Sequence, residues 1–138
     1  MYQKLVIIGR LGRDPEMRFT PTGQAVTSFS VATDRSYTDQ SGKPVKETVW
    51  FKVSAWGKLA ETCNTYLQKG KLVLVEGRLT ADKSGGPRVW TGQDGTPRAT
   101  FEINANTVKF LSTKSEGSGG AAGVEEDMEQ APAEDIPF

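Results

Sequence analysis

"KLAETCNTYLQKG", residues 58–70, breaks the rhythm of the chain around it. Its apolar residues Leu59, Cys63, Tyr66 and Leu67 fall at i, i+4, i+7 and i+8, one stripe of a short helix that Gly70 can end. On either side the period is two. "KLVIIGRL" (4–11), "AVTSFSVAT" (25–33) and "TVWFKVSAW" (48–56) precede it; "KLVLVEGRLT" (71–80) and "ATFEINANTVKFL" (99–111) follow. Asp14-Pro15 closes the first strand, "TPTG" (20–23) reads as a turn and "DQSGKP" (39–44) as a polar loop. Residues 82–98 read as a Gly/Pro/Asp-rich loop holding Trp90. The resulting order is three strands, one helix and two strands. An all-β protein with its helix between the third and fourth of five strands has the connectivity of the OB-fold, a small, partly open barrel that binds oligonucleotides or oligosaccharides.

The strand before the helix sets the functional question. Val49, Phe51, Val53 and Ala55 form an ordinary core face, with Phe29 and Val31 inward on the strand before it. The opposite face carries Trp50, Lys52, Ser54 and Trp56, too aromatic for water and too charged for a core. Packing under a loop or a second subunit is one explanation, and a sugar-binding platform is another. Base stacking explains more. Lys52 sits between the two indoles, Trp90 lies among Lys83, Arg88 and Arg98, and Tyr37 heads a loop beside Arg35. Rings and cations recur together, as single-stranded nucleic acid requires. A sugar site does not need the charge, and a duplex hides its base faces.

The charge is unevenly spread. Residues 1–111 hold 16 Lys and Arg against 10 Asp and Glu, a balance of +6, whereas residues 112–138 carry −6, so the net charge of zero hides a basic body and an acidic tail. The chain contains no histidine, which removes the commonest general acid/base and metal ligand. The single cysteine, Cys63, allows no internal disulfide, fits a reducing cytoplasm and is read as a packing residue. No apolar run has the length of a membrane span, and the opening residues lack a signal-peptide plan.

In its motifs the sequence resembles bacterial single-stranded DNA-binding proteins (SSBs). "GRLGRDPEMRFTPTGQAVTSFSVAT" (9–33), "TVWFKVSAWGKLAE" (48–61), "YLQKGKLVLVEGRL" (66–79) and "DIPF" (135–138) carry the likeness in the same order. The resemblance implies an OB-fold that binds ssDNA without strong sequence preference in replication, recombination and repair. It also implies a homotetramer, a cytoplasmic, nucleoid-associated location, and no cofactor, metal or membrane. By position it makes Trp50, Trp56, Trp90 and Tyr37 stacking residues, and Lys52, Lys58 and Lys69 basic groove residues. Arg35, Lys83, Arg88 and Arg98 join them as cations beside the rings.

Residues 1–111 are therefore expected to form the binding domain, and 112–138 a disordered tail. "STKSEGSGGAAG" (112–123) reads as a flexible linker and "VEEDMEQAPAEDIPF" (124–138) as acidic and poor in core residues. Within that tail Ile136 and Phe138 are bulky and apolar, and Pro137 stiffens the chain between them. A carboxylate beside a hydrophobic anchor suits a pocket lined with Arg or Lys. Glu134, Asp135, Ile136, Pro137 and Phe138 are thus expected to dock partner proteins; the resemblance implies replication and repair enzymes. Residues 4–11 and 71–75 are apolar on both faces, which predicts a homo-oligomer. An RNA-binding OB protein stays open as an alternative, since it shares rings and cations. A metal-dependent nuclease is disfavoured, because Asp14, Glu16, Asp34 and Asp39 are scattered over turns and loops.

Overall fold

The computed structural model describes residues 1–112. The expected readings of 113–138, including the docking residues 134–138, lie outside the described residues.

Seven strands and one helix follow in the order β1 (Leu5–Leu11), β2 (Glu16–Phe19), β3 (Ala25–Thr38), β4 (Pro44–Trp56), α1 (Lys58–Tyr66), β5 (Leu72–Leu79), β6 (Arg88–Thr91) and β7 (Pro97–Phe110). Five of them close a barrel. β5 pairs with β1 and β7, β4 with β7 and β3, and the contact Arg10↔Ala32 between β1 and β3 completes the ring. The β4–β7 pairing is parallel and the rest are antiparallel. With α1 between the third and fourth barrel strands, this is the OB-fold that the strand order predicted.

Alternation fills the barrel as read. Phe29 and Val31 of β3, Val53 and Ala55 of β4, Val73 and Val75 of β5 and Ile103 of β7 are buried in one cluster. The helix packs against β3 and β4, adding Cys63 to that cluster, and Leu67 just past its end joins it. It is pinned there by the buried Thr27, whose hydroxyl donates to the Ala60 carbonyl at 2.6 Å. Gly9 marks a close crossing. A Cβ there would stand 2.1 Å from the Ala32 carbonyl oxygen of β3, so the ring of strands closes on a bare backbone.

Four readings need correction. The helix stops at Tyr66, not Gly70, because Leu67 turns extended and drops into the core. Tyr66 is consequently exposed, with its ring 6.0 Å from that of Phe110, and Ala60 takes its buried place on the stripe. Tyr37 does not head a loop. It lies inside β3, since β3 and β4 run on as a two-stranded arm to the tight turn Asp39–Lys43. Trp90 likewise lies on a strand, β6, paired with β7 opposite Arg98. Short turns at Asp82–Gly86 and Gly92–Thr96 bound that strand. In the arm turn and these two, Asp39, Asp82 and Asp94 accept hydrogen bonds from residues two ahead. Those bonds hold the three carboxyls below their ordinary range. The Ser41 and Ser84 hydroxyls contribute most at Asp39 and Asp82, and the Thr96 backbone N–H at Asp94.

Cys63 is fully buried, and burial pushes its thiol from 9.0 up to about 11. The thiolate is the reactive form. Alkylation by iodoacetamide at pH 8 should therefore be negligible in the folded chain and rapid in urea. A folded pKa above the unfolded one stabilises the fold below pH 9. That contribution fades as pH climbs toward 11. Fast alkylation of the native protein would contradict this placement.

Candidate nucleic-acid interface

The outer face of β4 is open. Trp50 is 52% exposed and Trp56 42%, with Lys52 and Ser54 between them on the same side. At about 7 Å for every two residues of strand, the indoles are spaced ~20 Å apart. Trp56 and Trp90 are each held at one edge. Trp56 Nε1 donates to Asn104 Oδ1 at 2.9 Å, and Trp90 Nε1 to Thr100 Oγ1 at 3.1 Å. Their N–H groups are satisfied within the protein, so the ring faces are what remain to offer.

Trp50 is set differently, by Gly12. A Cβ on Gly12 would stand 2.5 Å from Trp50 Cζ3 and 2.7 Å from Cη2, so the ring rests on the backbone just after β1. Gly12→Ala must push the indole away. Binding of any ligand stacked on Trp50 should then weaken roughly tenfold, within the range lost with a stacking ring. Thermal stability should fall only modestly, because Trp50 is half exposed. An oligonucleotide titration beside a melting curve reads both effects.

Trp50, Lys52, Arg88 and Trp90 line one open groove of ≈ 470 Å³. Sequence reasoning named all four. It missed Arg13 and Arg18, which line the same groove from the β1–β2 connection and from β2. β2 is only four residues long and pairs by one edge with β3, so no apolar period advertised it. The basic spacing of "GRDPEMR" (12–18) was the available signal. Asp14 and Glu16 share the lining, so the groove is cationic without being uniformly so.

The other expected residues lie apart from this groove. Arg35 and Tyr37 sit along the arm, where the guanidinium lies 4.7 Å from the centre of the Tyr37 ring. Glu47 serves both, at 4.0 Å from Arg35 and accepting the Tyr37 hydroxyl at 3.2 Å. Its charge raises the Tyr37 pKa above the ordinary value. By register Tyr37 pairs with Val45 and Arg35 with Glu47, whereas Trp50 pairs with Ala32. Odd and even positions alternate, so Tyr37 and Trp50 occupy opposite faces of the ribbon. Arg98 is tied to Asp94 at 3.3 Å. Lys58 begins α1, Lys69 precedes β5 with its N–H on Asp14 Oδ1, and Lys83 stands in the Asp82–Gly86 turn, all three exposed.

Among the described residues, no group of three Cys, Asp or Glu converges as a metal site would require, and no helix is long and apolar enough to cross a membrane.

Known proteins share this fold. The solved structure of a Plasmodium falciparum SSB in complex with ssDNA superposes with a TM-score of 0.67 at 25% identity, covering 81% of this chain and 97% of that one. A deletion mutant of the Thermus aquaticus single-stranded DNA-binding protein gives 0.62 at 28% identity, covering 81% and 51%. In sequence, the Neisseria meningitidis protein named single-stranded DNA-binding protein is 45% identical over 118 residues, 86% of this chain and 64% of that protein. The namesake from Wolinella succinogenes is 35% identical over 123 residues, 89% and 72% of the two chains. The chain thus spans just under two thirds of the Neisseria relative's length. The family model described as the Single-strand binding protein family matches residues 2–111, and the chain belongs to that family.

Proposed function

We propose that the chain binds single-stranded DNA without reading its sequence, and that it is a binding protein rather than an enzyme. One observation carries the reading: half-exposed indoles and unburied cations line a groove open to an extended ligand. Bases stack on Trp50 and Trp90, with Trp56 and Tyr37 as outlying platforms. Lys52, Arg88, Arg13 and Arg18 meet the phosphates in the groove. Arg35, Lys58, Lys69, Lys83 and Arg98 extend the cationic surface around it. Stacking tolerates any base because every base has a π-face. The names of the relatives support DNA as the ligand, and service in replication, recombination and repair is proposed with it.

Quenching of tryptophan fluorescence by dT oligomers of graded length tests the reading. Strong, saturable quenching weakened by salt is expected. An rU oligomer should compete poorly; equal competition would favour the RNA-binding reading.

Two further elements of the proposal concern assembly and partners. Val6 and Ile8 on the outer side of β1 are 50% and 53% exposed, an apolar strip at home in a subunit interface. A homotetramer is proposed, and sedimentation equilibrium at the monomer mass of 15.0 kDa would refute it. The tail residues Glu134, Asp135, Ile136, Pro137 and Phe138 are proposed to recruit partner proteins. Deleting Phe138 should abolish capture of a partner by pull-down, with ssDNA affinity equal or higher. Capture that survives the deletion would contradict the assignment.

A further inference from the structure

The groove cation Arg88 has a partner behind it. Its Nε lies 3.5 Å from Glu102 Oε2, and its guanidinium has no ion pair or hydrogen bond with any other described residue. The two side chains differ sharply in exposure, 55% for Arg88 and 17% for Glu102. Glu102 sits on β7 as the Cα partner of Lys52, and Arg88 on β6 pairs with Thr100, two residues away on the same face. Arg88 lines the groove with Trp50 and Trp90, while Glu102 does not.

We propose that Glu102 is a positioning residue for phosphate binding, holding Arg88 by its Nε so that the terminal nitrogens of the guanidinium are left for a backbone phosphate between two stacked bases. The inference rests on the proposed function and adds a specific division of labour to it. A guanidinium has five N–H donors in a rigid fork, so one edge can be anchored while another grips an anion. A lysine in this place has one ammonium for both tasks. The mostly covered carboxylate cannot wander into solvent, which distinguishes this pair from Arg35–Glu47 and Arg98–Asp94. The acids of those pairs are 49% and 57% exposed.

The test is a salt-resolved fluorescence titration of the full chain with dT oligomers. Glu102→Ala should weaken binding about five- to tenfold, the scale of one charge-assisted hydrogen bond. It should also flatten the salt dependence by about 0.7 in log–log slope, the share of one phosphate on a single strand. Glu102→Gln keeps the shape but loses the charge that pairs with Arg88, and should lose most of the same affinity. In an Arg88→Gln background, Glu102→Ala should add nothing. Glu102→Thr replaces the alanine variant if that one melts early, and Glu61→Gln on the helix controls for loss of one negative charge.

Tighter binding by both Glu102 variants would mean that only their charge mattered and would overturn the proposal. So would an unchanged affinity, or an equal loss with and without Arg88. Wild-type quenching reports binding itself and the double-mutant cycle reports the coupling. Absence of the first overturns both readings, and absence of the second overturns only this one.

Discussion

Trp50→Ala should weaken ssDNA binding by about 1–3 kcal/mol, a five- to 150-fold rise in Kd, and by the same factor for dT, dA and mixed oligomers. The ring is half exposed, seated on Gly12 and facing the groove that Lys52, Arg88 and Trp90 also line. Truncation removes a stacking face but little of the core, so urea and thermal midpoints should barely move. The salt slope should also stay near the wild-type value, because no cation is lost. Fluorescence from the remaining tryptophans, or anisotropy of a labelled oligomer, measures the change. An affinity within twofold of wild type would mean that bases do not stack there.

The largest effect on stability is expected from the smallest substitution. Gly9→Ala would place a methyl group 2.1 Å from the Ala32 carbonyl oxygen and 2.8 Å from Val31 Cγ1. The first neighbour is backbone in the middle of a strand and cannot rotate aside. Either the β1–β3 contact opens or the barrel deforms, at about 3 kcal/mol or more. A small domain is stable by about 5–15 kcal/mol, so this is a large fraction of the total. Gly86→Ala is the counterpart. The nearest atom there is Ser84 Oγ at 3.7 Å, and a change within about 0.5 kcal/mol is expected. Urea denaturation of both variants decides the matter, and equal midpoints would sink the steric account.

How much of this was legible beforehand depended on whether a segment has a core to face. Phe29, Val31, Val53 and Ala55 point into the barrel, so burial wrote a period of two into their strands. The contrasting face of Trp50, Lys52, Ser54 and Trp56 stood out against that period. The outer halves of β3 and β4 have little core beneath them, and their residues from Asp34 to Thr48 are nearly all exposed. No alternation is imposed there, and the sequence around Tyr37 reads as a loop. The same holds for β6, all four of whose residues are exposed. Its turn dipeptides, Ser84-Gly85 and Asp94-Gly95, were the surviving signs of a hairpin. Gly12 beneath Trp50 was out of reach for another reason. Nothing local links residue 12 to residue 50; the fold brings them together when β1 crosses β3.

The opposite placement of Trp50 and Tyr37 on the arm has a mechanical consequence. A polymer that touches both must round the edge of a ribbon only two strands wide. Duplex DNA resists curvature over about 150 base pairs and cannot make so sharp a corner cheaply. An unpaired strand can. Stiffness as well as the absence of free base faces would then turn the double helix away, and a nicked or melted segment would be admitted by its pliancy.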